Sequence, residues 1–422
     1  MKNIVICCDG TGNEISENIS NVLKLYRCMR KTPKTTPFQA VFYDPGVGTL
    51  ARPDPWQKLK QDFVAILGLT TGYGLDDNVL AGYEFLVKNY EEGDQIYLFG
   101  FSRGAYTVRV LAGLIHKVGL ISPQQVNLAG AGLTAYKQFS GDNQQDGPDW
   151  QAPADAGDDE GPLPANRSDQ AAQFARILST RWPTIHFVGV WDTVASVIVP
   201  RPDRLYWPSL EELAFTLRNP SVKAFRQAIS IDERRCTFRL KKWDEPQTFT
   251  HNRFNDASAE PQDIKQVWFA GVHADIGGGY PEKESALSKY PLIWMIAEAM
   301  ECGLTVNPQT VNQLAWGVPR KGSPFSYVVP DIRGELHDSM TAAWRVLEYL
   351  PKKDRYKEWP DRESHFGFYI PDAEPRLIPE GAFIHESVVK RMKAMREYRP
   401  VNLPLKFETV PMPEPPEPPK PN

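Results

Sequence analysis

Gly100-Phe101-Ser102-Arg103-Gly104 has the G-x-S-x-G spacing that sets a serine on a sharp turn between a strand and a helix. The pattern is common by itself, but its flanks are informative. Residues 95–99 form a β-rich apolar run, and after the serine Val108, Leu111, Ile115 and Val118 recur at helical spacing. Such a turn lifts Ser102 above a sheet edge, at the positive end of the helix that follows. It also turns the Arg103 N–H toward charge developing on a bound carbonyl oxygen. A serine hydroxyl is unreactive without a base, and the base needs a carboxylate to orient it. The chain order in sites of this kind is serine, acid, histidine, so both partners are expected after residue 102.

Seven histidines are available. His116 falls late in the helix after Ser102, His186 inside a strand, His251 and His365 in polar stretches, and His385 at the start of a helix. His273 stands at the C-terminal end of an apolar run, 267–272, and precedes Ala274-Asp275-Ile276-Gly277-Gly278-Gly279-Tyr280. The glycines allow a tight loop around a site. A lone histidine after a strand is more often structural, but the strand-end position and the chain order favour His273 as the base. For the acid, Val188-Gly189-Val190-Trp191 runs directly into Asp192. A carboxylate buried there stays charged only with a partner, and a histidine N–H would serve. The plainer reading of Asp192 is a cap on the segment that follows. Asp275 is the rival acid, ranked second because residues two apart on one segment rarely orient each other's side chains.

Cys8-Asp9-Gly10-Thr11-Gly12-Asn13 follows the first apolar run. A glycine-rich loop can turn backbone N–H groups toward an anion, and Gly10 or Thr11 is the expected second oxyanion donor beside Arg103. Asp9 is expected to brace the loop. Asp-Gly-Thr after a first strand also suggests an aspartyl-phosphate phosphatase, but that chemistry needs a second carboxylate two residues away, where Cys7 and Thr11 stand. GxxxxGK[ST] does not occur. No metal site and no cofactor is expected.

These residues need a scaffold that brings several strand ends to one edge. Strands are expected at 2–8, 39–43, 95–99, 184–191 and 265–272, with helices between them around 23–29, 75–90 and 103–118. The fold class is therefore α/β, of the α/β-hydrolase type, with a mostly parallel central sheet, helices on both faces and surface insertions. One catalytic domain is expected over 1–405. It carries a flexible polar insertion at 140–170, and a Pro-rich disordered tail follows at 406–422. A net charge of −4 gives no attraction to nucleic acid. The five scattered cysteines have no metal spacing and read as buried free thiols. The N-terminal apolar run is too short for a signal peptide, and no run is long enough for a transmembrane segment. The chain is thus expected in the cytoplasm at synthesis.

Together these stretches resemble the uncharacterised α/β-hydrolase domain family that includes the catalytic domains of bacterial type VI secretion lipase effectors. The matching segments include Tyr43-Asp44-Pro45-Gly46-Val47-Gly48-Thr49, the elbow at Ser102, Gly189-Val190-Trp191-Asp192-Thr193-Val194 and the stretch from Trp268 to Tyr280. Ile384-His385-Glu386-Ser387-Val388 resembles the family's terminal segment. The resemblance implies a triad of Ser102, Asp192 and His273 acting on phospholipid or other ester substrates, and delivery by a secretion system without a cleaved signal peptide. Peripheral contact with a membrane would suit such substrates, and Tyr206, Trp207 and Leu210 are candidates for a lid. Alternatives are a hydrolase of a soluble ester or amide, or a non-catalytic scaffold used for binding.

Overall fold

Eight parallel strands make the central sheet of the computed structural model, which describes residues 1–10, 18–46, 74–143, 169–194, 198–200, 208–210, 213–252 and 256–415. They are β1 (Asn3–Cys8), β2 (Gln39–Asp44), β3 (Gln95–Phe101), β4 (Ile185–Trp191), β5 (Val222–Ser230), β6 (Asp263–Phe269), β7 (Ala382–His385) and β8 (Phe407–Val410). Their order across the sheet is β8-β7-β6-β5-β4-β3-β1-β2, and every neighbouring pair is parallel. From β1 the chain steps to β2 on one side, then crosses over and runs outward from β3 to β8 on the other. Parallel sheets bind ligands beyond the strand C-termini where the order reverses in this way. Here that point lies between the ends of β1 and β3, at Cys8 and Phe101.

Both faces of the sheet are covered, so its strands are buried on alternating sides. Ile4, Ile6 and Cys8 join Leu98, Val188 and Val190 in one cluster. It packs under α2 (Leu75–Asn89), α3 (Arg103–Val118), α4 (Ala129–Asn143) and α5 (Gln170–Leu178). Val5 and Cys7 point the other way, with Phe99, Phe187 and Trp191. Those side chains pack against α1 (Asn21–Cys28), α7 (Lys289–Glu301) and α8 (Pro308–Leu314). The short α6 (His273–Gly277) connects β6 to α7, while α9 (Ala342–Glu348) and α10 (Glu386–Ala394) belong to the C-terminal part. All five cysteines are free; Cys7, Cys8, Cys28 and Cys236 are buried.

The expected strands are present, with differences that have local causes. β6 stops at Phe269 rather than at residue 272, because Gly271 has φ 127° and turns the chain into α6. β5 carries Lys223, Arg226 and Gln227 and so lacks an apolar run. The buried Arg226 pairs with Asp263 and Glu298, and the buried Gln227 accepts from Arg109. Phe407–Val410 is an edge strand on β7, so the sheet continues into the stretch expected as a disordered tail from residue 406. The insertion expected from residue 140 begins as helix, since α4 runs through Asn143. Residues 144–168 and 416–422 lie outside the described residues, as do Tyr206 and Trp207. No helix among the described residues is long and apolar enough to cross a membrane.

Candidate active site

β3 ends at Phe101 and α3 begins at Arg103, leaving Ser102 alone in the turn with φ 57° and ψ −123°. A non-glycine residue in such a conformation costs of order 1–3 kcal/mol and persists only where its surroundings enforce it. Ser102 N–H donates to Trp191 O at 3.1 Å, tying the turn to the end of β4. A Cβ on Gly104 would stand 2.2 Å from the Cys8 carbonyl oxygen, and one on Gly100 would stand 2.5 Å from the Gly104 oxygen. The two glycines therefore let α3 start in direct contact with the ends of β1 and β3. Every residue of α3 is buried except His116 and Lys117, so the helix beneath the serine is held on nearly all sides.

His273 opens α6. Its Nε2 lies 2.8 Å from Ser102 Oγ and its Nδ1 lies 2.5 Å from Asp192 Oδ2. The ring sits between Phe101, with centroids 4.7 Å apart, and the edge-on Phe238 at 4.9 Å. Its backbone N–H donates to Glu233 Oε2 at 3.2 Å. The structure thus brings Ser102, Asp192 and His273 together from three strand ends.

Asp192 follows β4 with φ 35° and is fully buried. Its Oδ1 accepts from Ser230 N–H at 3.0 Å and from Arg376 Nη1 at 2.5 Å, and Oδ2 accepts from Arg376 Nη2 at 3.1 Å. Burial opposes its charge, but Arg376 and His273 outweigh burial and hold the carboxyl far below the usual carboxylate range. Arg376 and Glu233 were not singled out in the sequence. Glu233 is buried, accepts from the Arg235 guanidinium at 2.8 Å, and has its carboxyl brought down to about 2. Burial opposes that shift too, and Arg235 overrides it. An acidic-basic run one residue past β5, Asp232-Glu233-Arg234-Arg235, is the sequence signal for it. Arg376 stands in a Pro-punctuated stretch with no periodicity to mark it.

The remaining expected residues separate. Asp275 turns away from His273: its Oδ1 lies 2.7 Å from His337 Nδ1 and its Oδ2 accepts from Val272 N–H at 3.0 Å. Asp9 accepts from Gly10 N–H at 2.7 Å, from the Tyr43 hydroxyl at 2.8 Å and from the Ser20 hydroxyl. The N–H of Gly10, an expected oxyanion donor, is thus bonded within its own loop to Asp9 Oδ1. Thr11 lies outside the described residues. The Arg103 N–H stands at the first position of α3, beside Ser102. His385 is buried, caps α10 through its Nδ1, and stacks on Phe269. Glu284, Glu335 and His337 place one ligand atom each within 4.8 Å of one another, close enough to share an ion.

Residues 2–298 match the family described as T6SS, Phospholipase effector Tle1-like, catalytic domain. The chain belongs to this family. An uncharacterized protein of Saccharomyces cerevisiae, YEL023C, is 32% identical over an alignment covering 96% of this chain and 80% of the yeast protein. The crystal structure of an uncharacterized protein from Pseudomonas aeruginosa is 18% identical, covers 73% of this chain and has a TM-score of 0.36. The present chain spans about half the length of that protein, 47%. Ser102, Asp192, Glu233 and His273 all lie inside the span that matches the family, and Arg376 lies beyond it.

Proposed function

We propose that the protein is a serine hydrolase that cleaves a carboxylic ester of phospholipids through Ser102. One observation carries this reading: an unbroken hydrogen-bonded chain runs from Ser102 Oγ through both ring nitrogens of His273 to Asp192. Membership of a phospholipase effector family supports the substrate class.

In this mechanism His273 Nε2 takes the Ser102 proton as Oγ attacks the ester carbonyl. Asp192 accepts from Nδ1–H, holds the ring in the productive tautomer and stabilises the imidazolium. The Arg103 N–H donates to the oxyanion, aided by the positive end of α3. Collapse of the tetrahedral intermediate returns the proton to the leaving alcohol and leaves an acyl group on Ser102. Water, activated by the same imidazole, then releases the fatty acid. The proposal includes peripheral contact with lipid, for which the exposed Phe366, Phe368 and Ile370 offer apolar surface. Delivery by a secretion system, as the family description implies, belongs to the same proposal.

The test is hydrolysis of defined phospholipids, in micelles and as monomers, with product analysis. Ser102→Ala is expected to lose on the order of 10⁶ in kcat with the fold intact. Activity is expected to survive EDTA, because nucleophile, base and oxyanion donor are all protein groups. Substantial turnover by Ser102→Ala, or complete loss in EDTA restored by a divalent cation, would overturn the mechanism. Partial loss would indicate a structural ion, for which Glu284, Glu335 and His337 are a candidate site.

A further inference from the structure

We propose that Arg376, which lies outside the span matching the family, is a positioning residue that grips both carboxylate oxygens of Asp192 and so fixes the acid's orientation and charge toward His273. The proposal rests on the serine-hydrolase reading above.

The grip is two-pronged: Nη1 meets Oδ1 at 2.5 Å and Nη2 meets Oδ2 at 3.1 Å. A planar guanidinium matches a carboxylate in this geometry and an ammonium does not. The guanidinium is itself anchored. Nη1 donates to Ser230 O at 3.2 Å, at the end of β5, and Nη2 donates to Phe238 O at 2.8 Å. Phe238 is the residue whose ring packs edge-on to His273. Arg376 therefore ties the acid, the strand end beside it and the wall of the histidine pocket into one unit. Both Asp192 and Arg376 are buried, so their interaction is weakly screened.

The charges around this pair assign it an electrostatic role as well. Asp192 is faced by His273 and Arg376. Arg376 is also near Glu233 and Glu358, but those carboxylates have their own cations, Arg235 at 2.8 Å and Arg239 at 3.2 Å. Asp192 thus meets one permanent cation and one imidazole. Without Arg376 the buried carboxylate would be left with Ser230 N–H and His273, and the cation that keeps it charged would be gone. A residue that only supported the fold would change the amount of active protein without lowering kcat per folded molecule.

The experiment is kcat and KM on a soluble ester for wild type, Arg376→Lys, Arg376→Met, Asp192→Asn and the Asp192→Asn/Arg376→Met double variant, with Ser102→Ala alongside. For Arg376→Met, kcat is expected to fall on the order of 10²-fold, below the roughly 10⁴-fold loss typical of an amidated triad acid. KM on the same ester should stay at the wild-type value, since no group that meets substrate is changed. Arg376→Lys keeps the charge and loses the planar grip, so kcat falls less than in Arg376→Met, again with KM unchanged. In the Asp192→Asn background the methionine substitution lowers kcat little further, because the group it positions no longer serves the histidine. A folded Arg376→Met with wild-type kcat, or an equal fold-loss of kcat in the Asp192→Asn background, overturns the proposal. Should Arg376→Met not fold, Arg376→Lys decides: reduced kcat at the wild-type KM supports the two-pronged grip, and wild-type kcat overturns it. Activity in Ser102→Ala would instead overturn the hydrolase reading itself.

Discussion

His273 is contacted on every side by groups that leave its ring one orientation. Asp192 and Ser102 bond its two nitrogens, Phe101 and Phe238 confine its faces, and Glu233 holds its backbone N–H. Asp275 is two residues away in sequence, yet its carboxylate serves Val272 N–H and His337. The two acids should therefore separate cleanly. Asp192→Asn is expected to lower kcat on the order of 10⁴-fold, because the amide would favour the wrong imidazole tautomer. Asp275→Asn should cost far less, through a weakened α6 N-terminus. Steady-state kinetics of both variants on one ester would show the ranking, and the reverse order would transfer the acid's role to Asp275.

At the scale of elements, the site depends on how closely α3 approaches β1. Gly104 permits that approach, and the neighbour its missing Cβ would strike is the Cys8 backbone carbonyl, which has no rotamer to change. Gly104→Ala must displace the helix or the strand, and overpacking of this kind typically costs about 1–3 kcal/mol. Activity should fall as well, since any displacement of α3 carries Ser102 with it. Gly130 in α4 is the matched control. It is exposed and a Cβ there would meet nothing within 4 Å. Gly130→Ala should stabilise by about 0.5–1 kcal/mol through helix propensity alone. Denaturant midpoints of the two variants would establish the contrast. Equal shifts would mean that close packing at the elbow is not what Gly104 provides.

For the whole molecule, the C-terminal part is built into the site. Arg376 holds Asp192, and Ser339 Oγ donates to Glu233 at 3.3 Å. β7 and β8 complete the sheet beyond β6. Glu233 links these parts, and its titration has a definite consequence for stability. Its carboxyl is brought from 4.5 down to about 2, burial opposing and Arg235 overriding. A depressed folded-state value means the stabilisation is fully present above pH 4.5 and is lost as pH falls toward about 2. Glu233→Gln should thus be less stable than wild type at neutral pH, and the gap should close progressively across that window. Unfolding of both proteins at a series of pH values measures it, and a gap independent of pH would mean the Glu233 charge contributes nothing.

The parts of this protein legible in its sequence are those whose signals are local. Ser102, Asp192 and His273 each stand just past an apolar strand, and strand ends in a parallel sheet share one edge by topology. The helix after Ser102 was legible for the same reason, as its apolar residues recur at a single period. What remained hidden depends on approach between distant segments. Arg376 meets Asp192 across 184 residues of chain, and β5 buries Arg226 only because Asp263 and Glu298 arrive to pair with it. The Gly10 N–H illustrates the same limit at short range: a glycine-rich loop announces available amides, but which acceptor takes each one is decided by where Asp9 points. Periodicity and turn chemistry determined the elements and their ends, because they act within a few residues. Tertiary structure alone decided which charges meet, because a buried ion pair forms wherever packing brings its partners together, at any separation along the chain.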